Sequence, residues 1–448
     1  MRELVIIGGG LTGLSCAYFA SRMGYKVTVL EASNKVGGLM STFEVGGGRL
    51  EKFYHHFFTH DTEFLWLLKE LGISDKLMYQ NSSMGVFSNG KIYNFNGPLD
   101  LLKMNCLNIE DKIRFGATSL YLSKMANWKD YENFSTYDWF IKYAGKNVTK
   151  IIWEPLLRAK FGSYYNKVPV SWMIGRLSQR VNSRKGGREK LGYLKGSTDV
   201  LLKALTSKLQ SQNVKLITDV RAEKFITENG IIKKIATQNG DFSGDVFVST
   251  IPTCYLSKLV KGINTEYAKD LSKIEYFGAM CFIYELTEPL SKIYWLNIAE
   301  KDFSFGGVIE HTNLISADNY NNSHIVYLSR YFSPNEEIAN LDNAEVERIM
   351  SADLCKIYPK FSKSIVKNTY LFKTKTAATV CNLNFSKKVL SCKTPISNLF
   401  TVNMSHIYPD ERSCNNSIRT AAKACKVMGI DTSYVSIGRS LSGLIGMD

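Results

Sequence analysis

Three of the chain's six histidines, His55, His56 and His60, fall within residues 51–61, which read EKFYHHFFTHD. Imidazoles titrate near neutral pH, so such a cluster can move protons, hold a metal or stand against a cofactor ring. Metal binding is the weakest of these readings, because adjacent histidines with no carboxylate or cysteine partner at ligand spacing make a poor zinc signature. A wall of Phe53, Tyr54, Phe57 and Phe58 around neutral imidazoles accounts for the same residues without any chemistry. Upstream lies Gly8-Gly9-Gly10-Leu11-Thr12-Gly13, a run suited to phosphate.

Those residues need elements to place them. Residues 3–7 (ELVII) are an apolar run suited to a buried parallel strand, and residues 14–23 continue as a helix with one apolar face. In such a unit Gly8 allows the tight turn, Gly10 lets the backbone approach a pyrophosphate, and Gly13 lets the helix pack close. The helix N-terminus, at Leu11 and Thr12, turns free N–H groups and a positive dipole end toward phosphate. A second strand, residues 26–30 (KVTVL), ends at Glu31, where a carboxylate can accept ribose hydroxyls. Strand, glycines, helix, strand and acid in this register predict a dinucleotide site.

After Glu31 the chain reads Ala32-Ser33-Asn34-Lys35-Val36-Gly37-Gly38-Leu39. This resembles the E-A-x-x-R-x-G-G extension of the amine oxidase, protoporphyrinogen oxidase and phytoene desaturase superfamily. The resemblance implies FAD, with the extension along its pyrophosphate and ribityl chain. Lys35 stands where the family usually has Arg, which keeps the charge but loses the bidentate fork. Leu39 replaces a second frequent Arg.

The resemblance continues downstream. A helix over 199–209 and short strands over 214–219, 220–226, 231–236 and 246–251, with Asn-Gly turns at 229–230 and 239–240, match the family's second flavin segment. It implies that Val220 meets the adenine through its backbone. A last strand at 398–402 leads to Asn403-Met404, where the family usually has Gly-Asp, and then to a helix opening at 415–418. The implied amides at the flavin's pyrimidine end are those of Ser417 and Ile418. The implied fold is α/β, a Rossmann-type FAD-binding domain interleaved with an α+β substrate domain. FAD-binding segments fall at 1–75, 190–255 and 390–448, and substrate-domain segments at 76–189 and 256–389. Residues 153–162 and 307–313 look like the protoporphyrinogen-oxidase-like branch.

On the same footing, residues 51–61 resemble the G-x-H-x-F-H motif of UDP-galactopyranose mutase, in which a histidine lies over the isoalloxazine; His56 is the counterpart. His60 is expected to cap the next helix with Asp61 and Thr62. Lys160 corresponds to the lysine many relatives place near flavin N5, with a surface salt bridge as the plainer reading. Tyr327, Arg330 and Tyr331 (YLSRY) either set a cation between two rings or alternate between core and surface.

At 448 residues two or more lobes are expected. The net charge of +15 suits anionic lipid or phosphorylated substrates, yet no run of like charge has the length of a nucleic-acid tail. Residues 176–195 read as a basic amphipathic stretch broken by Gly186 and Gly187, either a solvated helix face or a contact with anionic membrane. Nine dispersed cysteines without a CxxC pair argue for reduced thiols and a cytoplasmic protein, at most peripheral to a membrane. The expected function is an FAD-dependent oxidoreductase acting on a small-molecule or lipid-linked substrate, by desaturation or amine oxidation, with hydride passing to flavin N5. The rivals are a non-redox sugar mutase and a flavin-bearing binding protein at a membrane surface.

Overall fold

The computed structural model describes residues 1–185, 188–438 and 445–447. Strand Glu3–Ile7 sits at the centre of a parallel five-stranded sheet, in the order Lys215–Ile217, Lys26–Leu30, Glu3–Ile7, Val246–Ser249, Leu399–Thr401. Leu4, Val5, Ile6 and Ile7 are all buried, as a parallel strand covered on both faces requires. One face packs on helices Leu11–Arg22, Thr198–Ser211 and Cys414–Val427. The other packs on helices Thr253–Val260 and Thr265–Ser272 and on the antiparallel meander of Ala222–Glu228, Ile231–Thr237 and Gly240–Ser243. Both Asn-Gly turns join strands of that meander.

A second sheet has seven strands. Its order is Val366–Thr379, Tyr276–Leu286, His324–Phe332, Gly307–Glu310, Trp295–Ile298, Met84–Ser88, Lys91–Asn94. Tyr276–Leu286 is buried at every position. Met280, Phe282 and Tyr284 pack on helix Asn343–Ile357, while Cys281 and Ile283 point the other way among Leu50, Tyr193 and Tyr327, the two-residue alternation of a strand. Helices Thr136–Tyr143, Glu154–Phe161 and Val170–Asn182 close one side around Phe140, Trp153, Phe161 and Trp172. The Phe140 and Trp153 rings stack at 4.4 Å. The molecule is thus an α/β fold with an interleaved α+β portion.

Two local expectations change. Residues 176–195 are no single amphipathic stretch: helix Val170–Asn182 ends, and a hairpin of Arg184–Lys185 and Arg188–Leu194 follows. Gly186 and Gly187 lie outside the described residues. The C-terminal helix starts at Cys414, capped by the Ser413 side chain, which accepts from the Asn416 amide. The Ser417 amide therefore already bonds back to the Ser413 carbonyl, and the helix's free N–H groups sit earlier than the 415–418 start predicts.

Candidate functional site

The hairpin Thr42–Val45 and Gly48–Glu51 delivers residues 52–58 into the molecule's interior. Its end is pinned by the buried Glu51 carboxylate, which accepts from the Tyr193 hydroxyl at 2.7 Å and the Thr198 amide at 2.8 Å. Phe57 and Phe58 then pair with Gly192 and Leu191. Between these anchors, Phe53, Tyr54, His55 and His56 line a cavity of about 1480 Å³. Ordinary small-molecule pockets run to roughly 300–1,000 Å³, so this one has room for two molecules.

One end of the cavity is the glycine cradle. Gly8, Gly10, Leu11, Thr12, Glu31, Ala32, Gly37, Gly38, Leu39 and Val220 line it. The Gly37 amide bonds the Gly9 carbonyl at 2.8 Å, which docks the second glycine pair onto the first loop. A Cβ built on Gly10 meets no protein atom within 4 Å, whereas one on Gly13 would lie 2.0 Å from the Gly8 carbonyl oxygen. Gly13 serves packing, and Gly10 leaves its backbone open to the cavity, as a phosphate-binding turn needs. Glu31 accepts from the amides of Gly9 at 2.7 Å and Ser33 at 2.8 Å, and a carboxylate with about four lone-pair sites can still accept hydroxyls. The Val220 amide is committed to the Glu31 carbonyl at 2.9 Å. Lys35 is exposed and off the cavity wall.

Asn403, Ser413, Cys414 and Ser417 line a further stretch of wall. Asn403 is buried, and its side chain accepts from the Ser405 amide and hydroxyl. Ile418 is fully buried in the core beneath the first sheet and does not reach the cavity.

The remaining wall is aromatic and charged. His56 stands edge-on to Phe58 at 5.2 Å and to Trp295 at 5.7 Å, and its Nδ1 is buried without a protein partner. Burial, and then the nearby Arg180 charge, push the imidazole down to about 3, so it is neutral at neutral pH. His55 Nδ1 meets the Phe53 carbonyl at 2.6 Å, and burial lowers that ring to about 4. His60 is off the cavity and does not cap the helix Thr62–Glu70: its Nδ1 has no partner, and the Asp61 carboxylate turns back to the Phe58 amide at 2.8 Å.

Lys160 is not a surface lysine. It lines the cavity, its side chain 17% exposed, and bonds Glu411 at 2.9 Å. Burial lowers its pKa although Glu411 opposes the shift. Tyr331 also lines the cavity and accepts from Arg412 Nη2 at 2.6 Å. Burial alone would raise this phenol, but Arg412 and Lys160 outweigh it and hold it below its ordinary value. The cations over the Tyr331 ring are Arg412, at 5.7 Å, and Lys160, at 6.0 Å. Arg330 turns to Glu336 and the Ser304 carbonyl, and the Tyr327 hydroxyl bonds the Glu51 carbonyl.

Five members of this cluster escape a reading of the sequence: Arg176, Arg180, Glu189, Glu411 and Arg412. Arg176 and Arg180 share one helix face, and that face looks inward: Arg176 bonds Glu411 at 3.0 Å and Arg180 bonds Glu189 at 3.0 Å. The contact is possible because the helix touches the loop before Cys414, where a Cβ on Gly175 would lie 2.2 Å from the Pro409 carbonyl oxygen. Their four-residue spacing was the available signal. Among the described residues no group of three or more His, Cys, Asp or Glu is placed to hold a metal.

Comparison with known proteins bears on this cavity. The chain matches the family described as flavin containing amine oxidoreductase over residues 11–377. It is 24% identical to 15-cis-phytoene desaturase of Capsicum annuum, over 80% of this chain and 65% of the relative. It is 22% identical to mitochondrial protoporphyrinogen oxidase of Nicotiana tabacum, over 79% of this chain and 80% of the relative. The match thus spans less than two thirds of the phytoene desaturase's length. In fold it resembles a putative protoporphyrinogen oxidase from Exiguobacterium sp. 255-15 (TM-score 0.77, 14% identity, 95% of this chain and 98% of that one). It also resembles reduced UDP-galactopyranose mutase (TM-score 0.74, 17% identity, 96% of each).

Proposed function

The chain belongs to the flavin containing amine oxidoreductases, and from that premise we propose that it is an FAD-dependent oxidoreductase that oxidises a carbon centre of an organic substrate held against the His56–Tyr331 wall. One observation carries this reading: the glycine cradle and the aromatic, charged wall line the same cavity. Gly8, Gly10, Leu11, Thr12, Gly37, Gly38 and Leu39 would hold the pyrophosphate, Glu31 and Ala32 the ribose, and Val220 the adenine. Gly13 supports that turn from behind, and Asn403, the amides at Ser413 and Cys414, and Ser417 would meet the far end. When bound, FAD supplies the two-electron acceptor, with N5 as the hydride-accepting atom.

The chain's own residues then orient and desolvate. Trp172, Trp295 and Phe58 exclude water, which strengthens each charge around them. Neutral His56 offers one hydrogen bond at Nδ1 and no charge. Tyr331 Oη, whose ionised form Arg412 and Lys160 stabilise, takes the proton that leaves when the substrate loses a hydride. Purified protein should be yellow and release FAD on denaturation. Anaerobic mixing with candidate substrates should bleach the flavin band and yield a product with two fewer hydrogens. A rearranged product with no net oxidation favours the rival mutase reading, which draws support from the arginines and tyrosine gathered at Arg176, Arg180, Arg412 and Tyr331.

We also propose a peripheral contact with anionic membrane, on a face other than 176–195. No helix among the described residues is long and apolar enough to cross a membrane. Helix Ile109–Lys124 instead exposes Ile109, Ile113 and Leu120 by more than half, beside exposed Leu99, Leu102 and Met125. Its inward side carries Leu122 and Phe115 together with Asp111, Thr118 and Ser123, so apolar side chains stand on both faces, where a soluble helix would keep them on one. Leu120, Gly116 and Ser119 also line the cavity. A second copy on this face would close that route, whereas a bilayer would feed it with a lipid-linked substrate, and the chain's +15 charge suits an anionic surface.

A further inference from the structure

The charged end of the cavity holds more cations than its carboxylates balance. Among the described residues lining the cavity, ten are Lys or Arg and four are Glu. At the inner wall Glu411 is shared, bonded by Lys160 at 2.9 Å and Arg176 at 3.0 Å. Glu189 is taken by Arg180, with both oxygens at 3.0 Å. Arg412 donates to a phenol, not a carboxylate. Lys160, Arg176, Arg180 and Arg412 thus outnumber Glu411 and Glu189 by two, and by one where the Tyr331 phenol is ionised. Charges withdrawn from water without counter-charge are costly, and proton transfer at Tyr331 still leaves a net positive charge on this wall. A pyrophosphate at the glycine cradle is served by different residues, those of the loop 8–13 and of 37–39.

We propose that the substrate carries an oxyanion, received by Arg412 and Arg176 beside Lys160. This rests on the oxidoreductase reading and names the substrate class for the same cavity. Guanidinium forks match phosphate and carboxylate oxygens in pairs, which sets the bound orientation as well as the affinity. A protonated amine would meet like charge here, so desaturation or dehydrogenation of an anionic compound fits better than amine oxidation.

The test uses the FAD-loaded protein, titrated at constant ionic strength with inorganic pyrophosphate, inorganic phosphate and acetate. Tryptophan fluorescence and the flavin absorption envelope are read together, since Trp172 and Trp295 line the wall. Saturable binding is expected, weakened roughly tenfold or more by Arg412→Gln and by Arg176→Gln, partly recovered in Arg176→Lys, and unchanged in the exposed control Lys208→Gln. Arg176 is partly exposed, so its variants should fold even if the Arg412 variant does not. A preference for the phosphates over acetate assigns a phosphorylated substrate, and the reverse assigns a carboxylate. No saturable signal with any of the three in FAD-loaded protein, or equal affinity in both glutamine variants, overturns the oxyanion site while leaving the oxidoreductase reading intact. Protein that holds no flavin refutes the latter instead.

Discussion

Gly10 and Gly13 stand three residues apart, the first capping helix Leu11–Arg22 and the second in its first turn, and substitution at the two should fail in opposite ways. Gly10 has φ −72° and ψ 174°, an extended conformation that any residue adopts, and a Cβ there touches no protein atom within 4 Å. Gly10→Val should therefore fold with apo stability within about 1 kcal/mol of the parent. The added side chain enters the cavity where backbone should approach the pyrophosphate. Loss of one charge-assisted hydrogen bond is worth about 1.5–3 kcal/mol, so FAD affinity should fall about ten- to a hundredfold at least. Gly13→Ala instead drives a methyl to 2.0 Å from the Gly8 carbonyl oxygen, and relief requires the helix to move off the loop. That overpacking should cost about 1–3 kcal/mol of apo stability or more. The assay is urea unfolding of both apo-proteins beside flavin retention on gel filtration. Full FAD occupancy in Gly10→Val, or equal apo stabilities for the two variants, would refute the reasoning.

Other expectations concern packing, pH and surface. Arg419 and Glu63 form a buried ion pair joining helices Thr62–Glu70 and Cys414–Val427; Arg419→Met should cost about 3–5 kcal/mol, and urea midpoints within error of the parent would contradict it. His311 is buried, bonded to the Tyr320 hydroxyl and pushed by burial down to about 3. Its neutral form is favoured on folding, so stability should fall as pH drops below the ordinary histidine value of about 6.5, until about 3 is reached. His311→Gln should flatten that limb by up to about 1.4 kcal/mol per pH unit, and parallel curves would remove the assignment. Ile109→Glu with Ile113→Glu, both exposed and off the cavity wall, should abolish co-sedimentation with anionic vesicles and leave turnover of a water-soluble substrate unchanged; undiminished vesicle binding would rule out helix Ile109–Lys124 as the contact.

The parts of the fold legible in sequence are those fixed by neighbours along the chain. The run ELVII, the glycine loop and KVTVL carry their own signals of burial and turn chemistry, and the two strands fall at Glu3–Ile7 and Lys26–Leu30 as predicted. The helix after the loop starts at Leu11 rather than residue 14, directly on the glycine that caps it. The later helix start was misplaced because Ser413 is the cap residue, and the resemblance drew attention to 415–418 instead. Arg176 and Arg180 looked solvated because amphipathic patterning separates polar from apolar faces but cannot separate water from a polar cavity. The charged wall itself joins His56, Lys160, Arg176, Arg180, Glu189, Tyr331, Glu411 and Arg412, and no spacing in one dimension announces that meeting. The types of its neighbours suggest a cap at His60, whereas a three-residue turn sends the Asp61 carboxylate back to the Phe58 amide.

The central claim is that flavin and charged wall share one chamber, and the flavin's midpoint potential measures it. Removing the Arg412 charge should make the reduced, anionic ring harder to form. Arg412→Gln should then lower the potential by about 30 mV for each 1.4 kcal/mol of lost interaction. His56→Ala should shift the absorption envelope and the potential, and His60→Ala, off the cavity wall, should change neither. Wild-type potential and spectrum in both Arg412→Gln and His56→Ala, with FAD still bound, would contradict the account.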